Sequence, residues 1–312
     1  MLVPLLILVA GFVLLYFGGE ALVKGSSSLA LRLGLSPLVV GLTVVAFGTS
    51  SPELAVSVQA ALGGVDDVAL GNVVGSNICN LGLILAVAAL VRPMVVAAQV
   101  IRLDLPIMIG VSLLLPLLLR DDLLTRFEGI LLFLGLLAYV SLSLYLARKE
   151  SAAVKAEYSE AIRVHKPLWL DVFFVVGGLG GLMAGGSFFV SGAVDIARSL
   201  QISEAVIGLT VVAIGTSMPE LATSVVAALK GEGDIAIGNV VGSTIFNTLG
   251  ILGLTAGIHP IQLGGISWVD LWVMVGIATL LLPLMHWGRR LGRGAGALLL
   301  GVYLLYLGYL LA

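Results

Sequence analysis

The sequence predicts an all-α polytopic membrane protein: ten transmembrane helices forming two inverted five-helix repeats, with helices 2 and 7 broken. Three observations predict this. Of 312 residues, 59% are hydrophobic and 11% charged, against roughly 45–50% and 25% in a soluble domain. Hydropathy divides the chain into ten apolar stretches near 2–22, 36–62, 68–91, 100–119, 126–147, 168–190, 203–229, 234–257, 267–286 and 295–312, each close to the ~20 residues that a bilayer crossing needs. Residues 36–80 and 203–247 also align without a gap at an offset of 167, identical at 31 of 45 positions, which marks an internal duplication.

The first stretch has no basic segment ahead of it and runs into Gly18, Gly19 and Glu20 without a small-residue cleavage site. It reads as a retained helix rather than a signal peptide, with Glu20 and Lys24 as an i, i+4 pair at its end. Stretches two and three carry the first copy of the duplication, and four and five complete a first repeat over 1–147. Residues 148–166 form the one long polar stretch, too short for a folded regulatory domain and suited to a linker. The second repeat, 167–312, follows the same order. Five crossings separate equivalent positions, and an odd number turns the second copy upside down, so the two copies face each other across the midplane.

Lys24, Arg32, Arg92, Arg102, Arg148, Lys149, Lys155, Arg163, Lys166, Lys230, Arg289, Arg290 and Arg293 fall at one set of loops and helix ends, and only Arg120, Arg126 and Arg198 at the other. The positive-inside rule then puts both termini outside and the linker in the cytoplasm. Forty glycines, nearly twice the usual ~7%, suit close helix packing and broken helices. A net charge of −2 points away from a nucleic-acid partner. With Cys79 as the only cysteine, an intramolecular disulfide and a cysteine-based metal site are both excluded.

Glu53 and Glu220 stand midway along their apolar stretches, where an ionised side chain costs at least ~2.5–3.5 kcal/mol and is a functional hypothesis by default. The competing reading is a structural carboxylate hydrogen-bonded within the bundle. Each glutamate follows a proline, Pro52 or Pro219. Proline has no N–H and crowds the carbonyl four residues back, so the helix should kink or unwind near Gly48 and Gly215. Thr49 and Ser50, with Thr216 and Ser217, add hydroxyls beside the freed carbonyls. Taken singly, these hydroxyls more commonly bond back to their own helix. Converging with Pro-Glu in two copies, they make an all-oxygen set suited to hard cations such as Ca2+ and Na+ rather than Zn2+.

Asn72, Ser76 and Asn80, and likewise Asn239, Ser243 and Asn247, recur at i, i+4 and i+8 as one polar stripe per helix. For Asn72 and Asn239, a capping or interhelical hydrogen bond is as reasonable as ion contact. Ser76, Asn80, Ser243 and Asn247 lie deeper and are read as ion or water contacts. Gly71 and Gly75, with Gly238 and Gly242, have the small-xxx-small spacing that lets a neighbouring helix approach.

The motif GTSxPE in one helix followed by GNxxGSxIxN in the next, with both repeated in the second half, resembles the cation/calcium antiporter superfamily, in particular its prokaryotic sodium/calcium exchanger branch. The resemblance covers both copies closely and the ten-helix plan of the chain. It implies coupled exchange of Na+ for Ca2+ at a midplane site in a prokaryotic plasma (inner) membrane, with no enzymatic activity, cofactor or obligate protein partner. The implied calcium ligands are Glu53, Glu220 and the carbonyls of Thr49 and Thr216. One implied sodium site uses Glu53, Ser76, Ala213, Thr216 and Ser217, and its inverted mate uses Glu220, Ser243, Ala46, Thr49 and Ser50. Asn80 and Asn247 would close the middle.

Several family members, including the potassium-dependent branch, have Asp where this chain has Asn247, so the resemblance implies potassium-independent transport here. The short linker implies no separate calcium-sensing domain. One Ca2+ neutralises two glutamates and three Na+, the family's usual count, leave one charge over, so exchange would be electrogenic. Access would alternate as segments 2–22 and 168–190, which lack Pro-Glu breaks, shift against the ion-binding core. The alternatives are a proton/calcium antiporter of the same superfamily, whose first broken helix typically reads GNAxE, and a cation channel built on the same oxygens. A serine hydrolase finds no support, since His165 lies in the linker and His259 and His286 lie near segment ends.

Overall fold

The computed structural model describes residues 2–148, 167–200 and 213–311. The linker beyond Arg148, with Lys149, Lys155, Arg163 and Lys166, and the start of the seventh predicted stretch, 203–212, lie outside the described residues. The helices are α1 (Leu2–Leu33), α2 (Pro37–Thr49), α3 (Ser51–Leu62), α4 (Asp66–Val91), α5 (Val100–Asp121) and α6 (Arg126–Arg148) in the first half. The second half contains α7 (Leu168–Ser199), α8 (Ala213–Thr216), α9 (Met218–Lys230), α10 (Gly233–Ile258), α11 (Trp268–His286) and α12 (Arg293–Leu311). Among the described residues, eight helices are long and apolar enough to cross a bilayer, and α2 with α3 forms a ninth span bent by 46°.

The bend falls where proline dictates. Ser50 leaves helical geometry (φ −84°, ψ 7°) and Pro52 opens the first turn of α3, where its missing N–H costs nothing. Ser217 (φ −89°, ψ 10°) and Pro219 repeat the arrangement at α8 and α9. Further departures from regular helix were not legible in the sequence. α4 widens to a π-helix over Asn80–Ile84 and α10 over Phe246–Leu252, as do α2 over Gly41–Val45 and α5 over Val100–Asp104, a distortion found mostly at functional positions.

Two pairs of short strands tie the loops. β1 (Met94–Val95) pairs with β4 (Arg290–Leu291), and β2 (Leu123–Leu124) with β3 (Ile261–Gln262), both antiparallel. Each joins two loops expected on the same side of the membrane, so an odd miscount of the crossings between the paired strands would have separated them. The repeat also survives beyond its 45 matched residues. Tyr139 donates to Asp104 Oδ1 at 3.1 Å, and its equivalent 167 residues on, Tyr306, donates to Asp270 Oδ1 at 2.8 Å.

α1 and α7, each 32 residues, are about 48 Å long at ~1.5 Å per residue and overrun the predicted 2–22 and 168–190. The expected Glu20–Lys24 pair does not form the contact. Glu20 instead accepts from Lys230 Nζ at 2.7 Å, and Lys24 sits 4.9 Å from the Phe174 ring centroid. Because both charges find partners on neighbouring helices, the polar residues that lower hydropathy after residue 22 do not end the helix. Near the same end Arg32 Nε donates to Asp171 Oδ2 at 2.9 Å, with the Asp171 side chain only 3% exposed. Removing one partner of such a pair strands a desolvated charge. Arg32→Leu should therefore cost about 3 kcal/mol and lower the thermal unfolding midpoint in detergent; an unchanged midpoint would assign the pair no structural weight.

Gly238 and Gly242 behave as their spacing predicts. A methyl group on either would lie 2.8 Å from the Leu38 carbonyl oxygen or 2.6 Å from that of Leu42, so α10 can rest on the backbone of α2 only with glycine there. A methyl group on Gly71 would lie 3.0 Å from Ile266 Cδ1, and one on Gly75 meets nothing within 4 Å among the described residues.

Candidate cation site

Glu53 and Glu220, each 1% exposed, enter the molecule in the first turns of α3 and α9. The helix breaks turn each carboxylate toward the opposite repeat. Ser50 Oγ donates to Glu220 Oε1 at 2.9 Å, and Ser217 Oγ donates to Glu53 Oε1 at 3.3 Å. Ser217 also lies 3.4 Å from Ser76 Oγ on α4. The two copies are thus interlocked, the serine of one against the glutamate of the other. The second oxygen of each carboxylate, Oε2, is buried with no hydrogen-bond partner among the described residues.

Other buried polar atoms share that condition. Ser243 Oγ, both amide atoms of Asn80 and Oδ1 of Asn247 have no partner among the described residues. An unsatisfied buried polar atom costs roughly 1–3 kcal/mol, so a cluster of them on the two polar stripes is costly as pure structure. Its chemistry fits a desolvated cation held by oxygens.

Thr49 hydroxyl donates to Asn239 Oδ1 at 3.0 Å, with a longer 3.3 Å approach to the Ala46 carbonyl. The hydroxyl proton is thereby spent inside the bundle, while the Thr49 hydroxyl and carbonyl oxygens keep their lone pairs. The Ala46 carbonyl also accepts from the Ser50 N–H at 3.1 Å. Thr216 ends α8 and Ala213 opens it, placing their carbonyls before the second break as Ala46 and Thr49 stand before the first.

Asn72 and Asn239 resolve into braces. Asn72 Nδ2 donates to the Glu53 carbonyl at 3.0 Å and to Ser57 Oγ at 2.9 Å. Asn239 Nδ2 reaches the Glu220 carbonyl at 3.4 Å and Ser224 Oγ at 3.0 Å. Each asparagine fixes the backbone of a glutamate on the adjacent helix. Sequence reasoning missed Ser57, Ser224, Asn77 and Thr248. Ser57 and Ser224 lie four residues after their glutamates, so helical spacing could have found them, whereas Asn77 and Thr248 lie off the stripes.

α7 lies against both breaks. A methyl group on Gly48 would strike Leu179, and one on Gly215 would strike Val190. Two helix breaks, the interlocked carboxylates beside them and a long helix pair laid over them define an inverted-repeat membrane transporter of cations. The family described as "Sodium/calcium exchanger protein" matches residues 3–145 and 170–312, and the chain belongs to that family. It is 37% identical to the inner membrane protein YrbG of Escherichia coli (strain K12), over 99% of this chain and 97% of that one. It is 34% identical to the sodium/calcium exchanger MaX1 of Methanosarcina acetivorans, over 98% and 97%. Among solved structures, the sodium-calcium exchanger NCX_Mj soaked with Na+ and Ca2+ superposes with a TM-score of 0.86 at 29% identity, covering 99% of this chain and 98% of that one. The protein is an integral membrane cation/calcium exchange transporter, not an enzyme.

Proposed function

We propose that this transporter exchanges Na+ for Ca2+ by alternating access at Glu53 and Glu220. The observation that carries the reading is the pair of buried carboxylates, each met by a serine of the other repeat and each with one oxygen left over. Ca2+ takes Glu53, Glu220 and the Thr49 and Thr216 carbonyls. Na+ takes two flanking sites, one at Glu53, Ser76, Ala213, Thr216 and Ser217, the other at Glu220, Ser243, Ala46, Thr49 and Ser50, with Asn80 and Asn247 between them. Because the carboxylates are shared, Ca2+ and a full Na+ load exclude each other, and that exclusion is the coupling. NCX_Mj crystals soaked with Na+ and with Ca2+ or Sr2+ support the choice of ions.

Two neutralised glutamates per Ca2+ against three Na+ make the cycle electrogenic, and the amide at Asn247 removes the third carboxylate on which potassium dependence would draw. The pair α1 and α7 moves against the core formed by the broken helices. The chain sits in the plasma (inner) membrane with both termini outside and its linker, 148–166, in the cytoplasm between the two repeats; the basic loops support this orientation. The test is Ca2+ uptake into proteoliposomes driven by an outward Na+ gradient, at clamped pH and without K+. Uptake should appear and should develop a membrane potential. Uptake that follows a pH gradient instead would favour the proton-coupled reading, and uptake that needs K+ would remove the role given to Asn247.

A further inference from the structure

The two polar stripes are related by the repeat, yet their deepest amides are held differently. Asn80 has no hydrogen-bond partner for either amide atom among the described residues. Asn247 is fully engaged on one side: its Nδ2 donates to Asn77 Oδ1 at 3.1 Å. Asn77 Nδ2 in turn donates to Thr248 Oγ1 at 2.9 Å, with Met274 Sδ at 3.6 Å as a further contact. Thr248 Oγ1 donates to the Thr244 carbonyl at 3.2 Å. All four residues are no more than 1% exposed, so bulk solvent does not reach these groups.

The direction of this relay follows from its anchor. The Thr244 carbonyl can only accept, so the Thr248 hydroxyl spends its one proton there and can only accept from Asn77. Asn77 must then present its NH2 to Thr248 and its oxygen to Asn247. Asn247 must present its NH2 to Asn77, which leaves its own Oδ1 buried and without a partner among the described residues. The π-helical stretch that carries Asn247 packs against α3, the helix of Glu53. No equivalent relay exists in the first repeat. The position matching Asn77 is Thr244, whose hydroxyl returns to its own helix at Val240 (2.9 Å), and the position matching Thr248 is Leu81.

We infer that Asn77 is a positioning residue for the cation site: through Thr248 it fixes the Asn247 amide so that an oxygen, never the NH2 group, is available to the ion. An unrestrained amide can turn either face to a cation, and one of the two faces repels it. The relay thus lets an amide stand at this position without the charge that would otherwise guarantee an oxygen. This inference rests on the reading of Asn247 as lining the exchange site.

A double-substitution cycle in the full chain tests it, with Asn77→Leu made in the parent and in an Asn247→Asp background. A carboxylate shows oxygen whichever way it turns, so it has no need of the relay. In the parent, Asn77→Leu should raise the Ca2+ KM of Na+-driven exchange about tenfold with the maximal rate within about twofold; in the Asn247→Asp background the KM should move less than about twofold. Thr248→Val, which removes the acceptor and frees Asn77 to turn, should shift the parent KM in the same direction and serves as the relay variant if Asn77→Leu unfolds. An equal KM shift in both backgrounds would reduce Asn77 to a packing residue, and no shift in the parent would overturn the inference. Radiolabelled Ca2+ binding to the detergent-purified chain gives the same comparison without transport, so loss of exchange in the parent would count against the proposed function and leave the relay separately measurable.

Discussion

Glu53→Gln and Glu220→Gln should each reduce Na+-driven Ca2+ uptake by at least about 100-fold while the protein still folds. Glutamine keeps the size and one oxygen, so Ser217 and Ser50 retain acceptors for their hydroxyls. What disappears is charge. A divalent ion about 4 Å from one carboxylate gains on the order of 8 kcal/mol at an effective dielectric near 20, twice the unit-charge figure. Recovering more than half of that through the amide oxygen still leaves about 3 kcal/mol, or roughly 100-fold in binding. Uptake, with an unfolding midpoint close to that of the parent, is the measurement. If both variants transport at the parent rate, the carboxylates are structural and the ion assignment falls.

The second large effect concerns the helix pair over the site. Gly11, Gly18 and Gly25 on α1, and Gly178, Gly185 and Gly192 on α7, recur at seven-residue intervals. The two helices meet backbone to backbone along these rows. A methyl group on Gly18 would lie 2.8 Å from the Leu182 nitrogen, one on Gly178 2.6 Å from that of Leu22, and one on Gly185 2.8 Å from that of Leu15. Backbone cannot rotate out of the way as a side chain does, so Gly18→Leu or Gly185→Leu must part the helices. Between transmembrane helices, close van der Waals packing is a principal attraction, and its loss along the seam should cost about 3 kcal/mol or more. Purified yield and thermal midpoint should fall sharply. Gly177→Leu and Gly180→Leu on the same helix, where an added Cβ meets nothing within 4 Å, should leave both unchanged. If the controls fall equally, the seam is not what holds the pair.

Much of the candidate site was legible beforehand because its markers are local. Pro52 and Pro219, each followed by glutamate, mark a helix restart within an apolar stretch, and a carboxylate in an apolar stretch is conspicuous without knowledge of its neighbours. The same locality explains the errors. Glu20 and Lys24 have the spacing of a helical pair, but Glu20 meets Lys230 across 210 residues of chain. Asn72 and Asn239 share a stripe with Ser76 and Ser243, and of the two readings their position left open the structure shows the interhelical hydrogen bond, to the glutamate carbonyls. Asn77 and Thr248 carried no signal, since one buried amide and one buried hydroxyl off the stripe are ordinary in any bundle.

The sequence by itself determined that the chain spans a membrane, that it does so as two inverted copies, and that Glu53 and Glu220 are carboxylates midway along apolar stretches. These follow from composition, periodicity and duplication, which are properties of the chain as written. Only the tertiary structure decided that each glutamate answers to the serine of the other repeat, that α1 and α7 join along their glycine rows, and that Asn247 is turned by Asn77 while Asn80 is not. The serine–glutamate and amide pairings join residues 164 to 171 positions apart, and at such separations the partner is chosen by how the helices pack in three dimensions.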